Sequence, residues 1–167
     1  MTTVDRAYFL NRADIVARSL LGTTLVCEIP GNGRSNVRLT EIAAYQGETQ
    51  TTSSGVLYAH GVVSISTKFG QQLIDIATGR KDEPSCITLR GGEVVRDGGR
   101  GKRIEGPGRL TCEIGITHDN KDLFEGEVIP GSVFWIDGTP GESLSKVNMR
   151  KRSDLASNCL GYFYLKP

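Results

Sequence analysis

The 167 residues, with 20 lysines and arginines against 19 aspartates and glutamates, suit one domain with one sizeable core, and a net charge of +1 excludes a protein that coats nucleic acid by bulk positive charge. Cys27, Cys86, Cys112 and Cys159 are scattered without a C-x-x-C pair or a histidine cluster, so no zinc site is expected and reduced thiols point to a cytoplasmic protein. With no leader-like segment and no long apolar run, neither export nor membrane insertion is expected.

In chain order, Asn11 is placed to cap a helix in which Ile15, Val16, Ser19 and Leu20 form one face, with Gly22 as its left-handed stop. Thr23 to Ile29 reads as a strand, Pro30 to Gly33 as a tight turn and Asn36 to Tyr45 as the returning strand. Alternation along that strand puts Val37, Leu39, Glu41, Ala43 and Tyr45 on one face and Arg38, Thr40, Ile42 and Ala44 on the other. Gly47 to Ser54 reads as a loop. A second hairpin is expected from Val62 to Thr67, turning at Lys68-Phe69-Gly70 and returning over Gln71 to Thr78.

Cys86 to Arg90 is a short β-prone run, and the stretch from Asp97 to Arg103, with Arg100, Lys102 and Arg103, is a basic glycine-rich loop suited to phosphate. Pro107 fits a first helical turn, with Leu110 and Ile114 one turn apart before Gly115. Val133 to Asp137 and Leu160 to Leu165 read as strands, separated by a charged stretch from Lys146 to Asp154. His60 and His118 read as surface or turn residues. The expected fold is α+β: a single domain over residues 1–167, with a large, curved, mostly antiparallel, open barrel-like sheet and a few short peripheral helices.

Five segments, in order, resemble the alkyladenine (3-methyladenine, or methylpurine) DNA glycosylase family. Val16 to Val26 is similar to its A-R-x-L-L-G-x-x-L-V, and Thr40 to Gly47 to its T/V-E-x-E-A-Y-x-G. Gly61 to Gly79 is similar to its hairpin G-x-x-Y-V-Y-x-x-Y-G followed by N-V-V-T-G. Cys86 to Arg90 resembles V-L-I-R, and Gly106 to Ile116 resembles G-P-G-K-L-x-x-A-L-G-I.

The resemblance implies a monomer without metal or organic cofactor that binds duplex DNA containing damaged purines. Such a protein inserts an aromatic wedge, flips the damaged nucleotide and hydrolyses its N-glycosidic bond in base excision repair. It would be cytoplasmic, and nucleoid-associated if prokaryotic. By that resemblance Tyr45 is a pocket aromatic, Phe69 the wedge, and Arg90 a DNA-backbone contact. Asp75 falls near a pocket asparagine.

The chain departs from the pattern at three places. Ala43 stands where the family has its general-base glutamate, Ser66 replaces a pocket tyrosine, and Ser54 lies near the place of a stacking histidine in a shortened loop. A methyl group cannot activate water, and losing a positioned general base costs about 10²–10⁴ in rate. Asp75, across the cavity, and Glu41, about 6–7 Å along the strand from Ala43, are the candidate replacements. Two functions stay open: a glycosylase acting on alkylated or labile purines, and a catalytically inactive damaged-DNA-binding protein on the same scaffold.

Overall fold

The computed structural model describes residues 2–31, 33–47, 59–95, 101–151 and 158–167. A 3-10 turn (Arg6–Leu10) and helix α1 (Ala13–Leu20) precede the hairpin of β1 (Thr24–Ile29) and β2 (Gly33–Gln46). A second hairpin, β3 (Val62–Lys68) and β4 (Gln71–Thr78), leads to β5 (Ser85–Val94), β6 (Arg103–Glu105) and helix α2 (Pro107–Glu113). Then come β7 (Gly126–Glu127), β8 (Phe134–Asp137), β9 (Val147–Arg150) and β10 (Cys159–Leu165).

The ten strands of the described residues form one sheet with the main order β7, β3, β4, β5, β2, β1, β8. β2 organises it. One edge of β2 pairs with β1 over its first half and with β10 over its second, while the other edge pairs with β5. The architecture is the expected α+β one, a large and nearly closed antiparallel sheet with short helices against it.

One face of the sheet carries the core. Val63, Ile65, Ile74, Ile76, Ile87, Leu89, Ile42, Ala44, Phe163 and Leu165 alternate inward from five strands and join Val16, Ala17 and Leu20 of α1 and Leu110 of α2. These branched and aromatic residues suit a pleated surface buried on one side. The helices supply the cover that this apolar face needs.

Three expectations require correction. Asn11 does not cap α1: it closes the preceding 3-10 turn, its Nδ2 donating to the Tyr8 carbonyl at 2.8 Å, while Arg12 occupies the N-cap position without a side-chain bond. Ile15 is correspondingly 52% exposed, and the buried face of α1 is Ala13, Val16, Ala17, Ser19 and Leu20. The charged stretch after Lys146 contains β9, a short edge strand whose four residues are too few to show alternation.

The third correction is to the alternation along β2. Leu39 pairs with Gly92 and Glu41 with Gly91, so Thr40 is an extra residue on β2; Glu41 and Ile42 then span Gly91 to Leu89, so Arg90 is an extra residue on β5. Such bulges reverse which parity faces inward. Val37 and Leu39 therefore share the core face with Ile42 and Ala44, whereas Glu41, Ala43 and Tyr45 lie on the other. Gly92 permits the crossing, because a Cβ there would stand 2.2 Å from Val37 Cγ1.

Candidate functional site

Directly paired residues of antiparallel strands project to the same face. The pairings Ser64↔Asp75, Asp75↔Thr88, Thr88↔Ala43, Ala43↔Tyr162 and Tyr162↔Arg150 thus run one row of side chains across β3, β4, β5, β2, β10 and β9, opposite the core face. The row gathers Asp75, Ala43 and, one step along β3, Ser66. Neighbouring rows add Glu41 and Tyr45.

Ala43 is 0% exposed, and its cross-strand partner Tyr162 is also buried. Tyr162 hydrogen bonds to Tyr45, and burial followed by this bond raises the Tyr45 phenol above its ordinary 10.0. The Tyr45 ring is therefore a neutral hydrogen-bonding group at physiological pH. Sequence reading named Tyr45 but missed Tyr162, because its place opposite Ala43 comes from a pairing 119 positions apart in the chain.

Asp75 is buried and held by two hydroxyls, Ser66 Oγ donating to Oδ2 at 2.7 Å and Thr88 Oγ1 to Oδ1 at 2.5 Å. Ser66 thus serves as a donor that orients a carboxylate. Asp75 lies two strands from Ala43, about 9–10 Å across the sheet.

Glu41 is bound differently. Its Oε1 accepts from Arg90 Nε at 3.3 Å and from Arg150 Nη2 at 2.7 Å. The Arg90 guanidinium lies 4.2 Å from the centre of the Tyr162 ring, and that of Arg150 lies 5.8 Å from Tyr162 and 5.4 Å from Tyr164. Arg150 and Tyr164 are further residues that sequence reading did not single out. A bulge and two strand pairings bring them to Glu41.

Phe69 stands at the tip of the β3–β4 hairpin beyond the last pair, Lys68↔Gln71. With φ of 52° at Phe69 and 75° at Gly70, the two-residue turn is of the doubly left-handed kind that favours Asn-Gly. Phe69 is 104% exposed. A bulky residue in this conformation costs about 1–2 kcal/mol, and its ring gains no burial in return.

Of the basic-loop residues, Arg100 lies outside the described residues, as does Ser54. Arg103 pairs across from Glu93 on the same side of the sheet as Glu41 and donates to the Leu165 carbonyl at 3.2 Å. Lys102 turns instead towards α2, where its Nζ meets Glu113 at 3.0 Å. The structure therefore brings Arg90 and Arg103 to one face and separates Lys102 from them.

Among the described residues, no helix is long and apolar enough to cross a membrane, and no group of three or more His, Cys, Asp or Glu is arranged to hold a metal ion. Cys27 is buried, which pushes its thiol up to about 12. His118 is exposed in a turn, as expected.

Fold and face define a single-sheet α+β domain with a polar, aromatic and cationic surface beside a projecting aromatic tip. The model of the methylpurine-DNA glycosylase (MPG) family matches residues 7–158, and the chain belongs to that family. It is similar to a protein of Myxococcus xanthus named "Putative 3-methyladenine DNA glycosylase", 29% identical over 136 residues that cover 74% of this chain and 70% of that one. A protein of the same name from Borrelia garinii is 29% identical over 72% of this chain and 73% of its own length. One from Anaeromyxobacter sp. is 28% identical over 81% and 72%.

Proposed function

We propose that the protein acts on duplex DNA containing damaged purines, inserting Phe69 into the base stack and turning the damaged nucleotide towards the face that carries Tyr45, Ala43, Ser66 and Asp75. The observation that carries this reading is the Phe69 tip: a fully exposed ring in left-handed backbone is unfavourable in the free protein and useful against unstacked bases. Arg90 and Arg103 contact the DNA backbone from that face, while Lys102, paired with Glu113, lies apart from it. The domain acts as a monomer.

The reaction we infer is release of alkylated purines whose positive charge already makes them good leaving groups. With Ala43 at the general-base position, Asp75 is the carboxylate assigned to orient water, because Ser66 and Thr88 fix both its oxygens. Glu41 is the weaker candidate, since two arginines occupy its carboxylate.

A second reading has its own observation. The buried Ala43 faces the Tyr162 ring, which favours a protein that binds damaged sites without excising the base. Base release from duplexes carrying 7-methylguanine, 3-methyladenine, hypoxanthine or ethenoadenine separates the two. Release that disappears in Asp75→Asn supports the relocated carboxylate. No release until Ala43→Glu supports binding alone.

A further inference from the structure

We propose that Arg90 and Arg150 form a phosphate-binding fork and that the Glu41 carboxylate occupies it in the free protein in place of the ligand. The proposal rests on the DNA-binding reading for the source of the phosphate, a phosphodiester flanking the flipped nucleotide.

The geometry is that of an oxyanion between two guanidinium groups. A single oxygen, Oε1 of Glu41, accepts from both arginines, which come from strands on opposite sides of β2. Each guanidinium has five N–H donors, and among the described residues each spends one on Glu41. The Tyr162 and Tyr164 rings pack against the two cations, whose remaining N–H donors suit planar, charge-assisted contact with an anion.

The backbone keeps the approach clear. Arg90 is the extra residue of the β5 bulge, and the residue after it, Gly91, has no side chain; a Cβ there would stand 3.3 Å from Glu41 Cβ and 3.0 Å from the Ile104 carbonyl. The cluster carries two positive charges against one negative, and the Arg150 side chain is 49% exposed. An arriving phosphate therefore meets a net positive pair, and the carboxylate must yield its place or repel the ligand. Glu41 is in this account a resident competitor that lowers affinity for the incoming phosphate.

The test compares the unaltered protein with Glu41→Gln and Arg150→Gln. NMR signals of the arginine Nε–H groups, titrated with inorganic phosphate, report the fork without DNA. In Glu41→Gln the Arg90 and Arg150 signals are expected to shift at roughly tenfold lower phosphate than in the unaltered protein. For lesion-containing duplex, Glu41→Gln is expected to bind about tenfold more tightly with a salt slope steeper by about one, and Arg150→Gln to lose about one from that slope, as for one phosphate contact.

Arginine signals indifferent to phosphate in Glu41→Gln, or duplex affinity unchanged or weakened by that substitution, would overturn the fork. Arg150→Gln alters a half-exposed side chain, so an unchanged salt slope in that variant overturns it even if Glu41→Gln fails to fold. Failure of the DNA reading looks different: no duplex binding by any variant, with phosphate still shifting the two arginine signals.

Discussion

The two faces of the sheet are built by the same strands and follow opposite rules. On one, Ile74, Ile76, Ile87 and Leu89 are wholly buried among apolar neighbours. On the other, the alternate residues Asp75, Thr88 and Arg90 carry a carboxylate, a hydroxyl and a guanidinium, and each is bound to another polar or aromatic group. Burying those polar groups costs desolvation that the hydrogen bonds only offset. The first face holds the fold together, and the second carries polar groups at a cost in desolvation.

The largest effect that would sharpen this contrast is on rate. Ala43→Glu is expected to raise release of 7-methylguanine by about 10²–10⁴, measured in single-turnover assays, if position 43 is that of the general base, as proposed above. No gain would mean that the Tyr162 side of the face bars the base from that position, and would favour the binding-only reading. On the core face, Ile74→Ala is expected to cost about 2–5 kcal/mol in urea unfolding and to leave the salt slope of DNA binding unaltered.

Phe69 tests the boundary between the faces. Phe69→Asn is expected to stabilise the hairpin by about 1 kcal/mol, since asparagine suits the turn, while weakening binding to lesion-containing duplex by about 1–3 kcal/mol. Thermal unfolding and a binding titration on one sample check both signs. Equal affinity for Phe69→Asn and a change at His118 would remove the grounds for a wedge.

The smallest expected effect concerns pH. The Tyr45 phenol is raised in the folded state, so its contribution to stability is complete below the unfolded value of 10.0 and is lost as pH climbs above that towards the folded value. Tyr45→Phe is expected to flatten that alkaline loss in denaturant titrations at successive pH values. An unchanged profile would show that the Tyr45–Tyr162 bond does not hold the proton.

Much of this was legible in the sequence where signals are local. The Phe69-Gly70 tip, the Pro107 start of α2 and the strand rich in branched residues after Gln71 follow from turn chemistry and alternation over a few residues. Asn11 misled because it satisfies the preceding 3-10 turn, and a capping residue does not reveal which neighbouring helix it serves. β9 was hidden because its four residues, Val147 to Arg150, are too few to show alternation.

The amino-acid sequence by itself determined the family, the second hairpin with its aromatic tip, and the alanine at position 43. Tertiary structure alone decided what surrounds Ala43. The paired bulges at Thr40 and Arg90 choose which residues of β2 leave the core, and the pairings of β10 and β9 set Tyr162 against Ala43 and bring Arg150 to Glu41. The physical reason is that strand register is fixed by contacts far apart in the chain, and a one-residue offset exchanges the faces of every side chain that follows it.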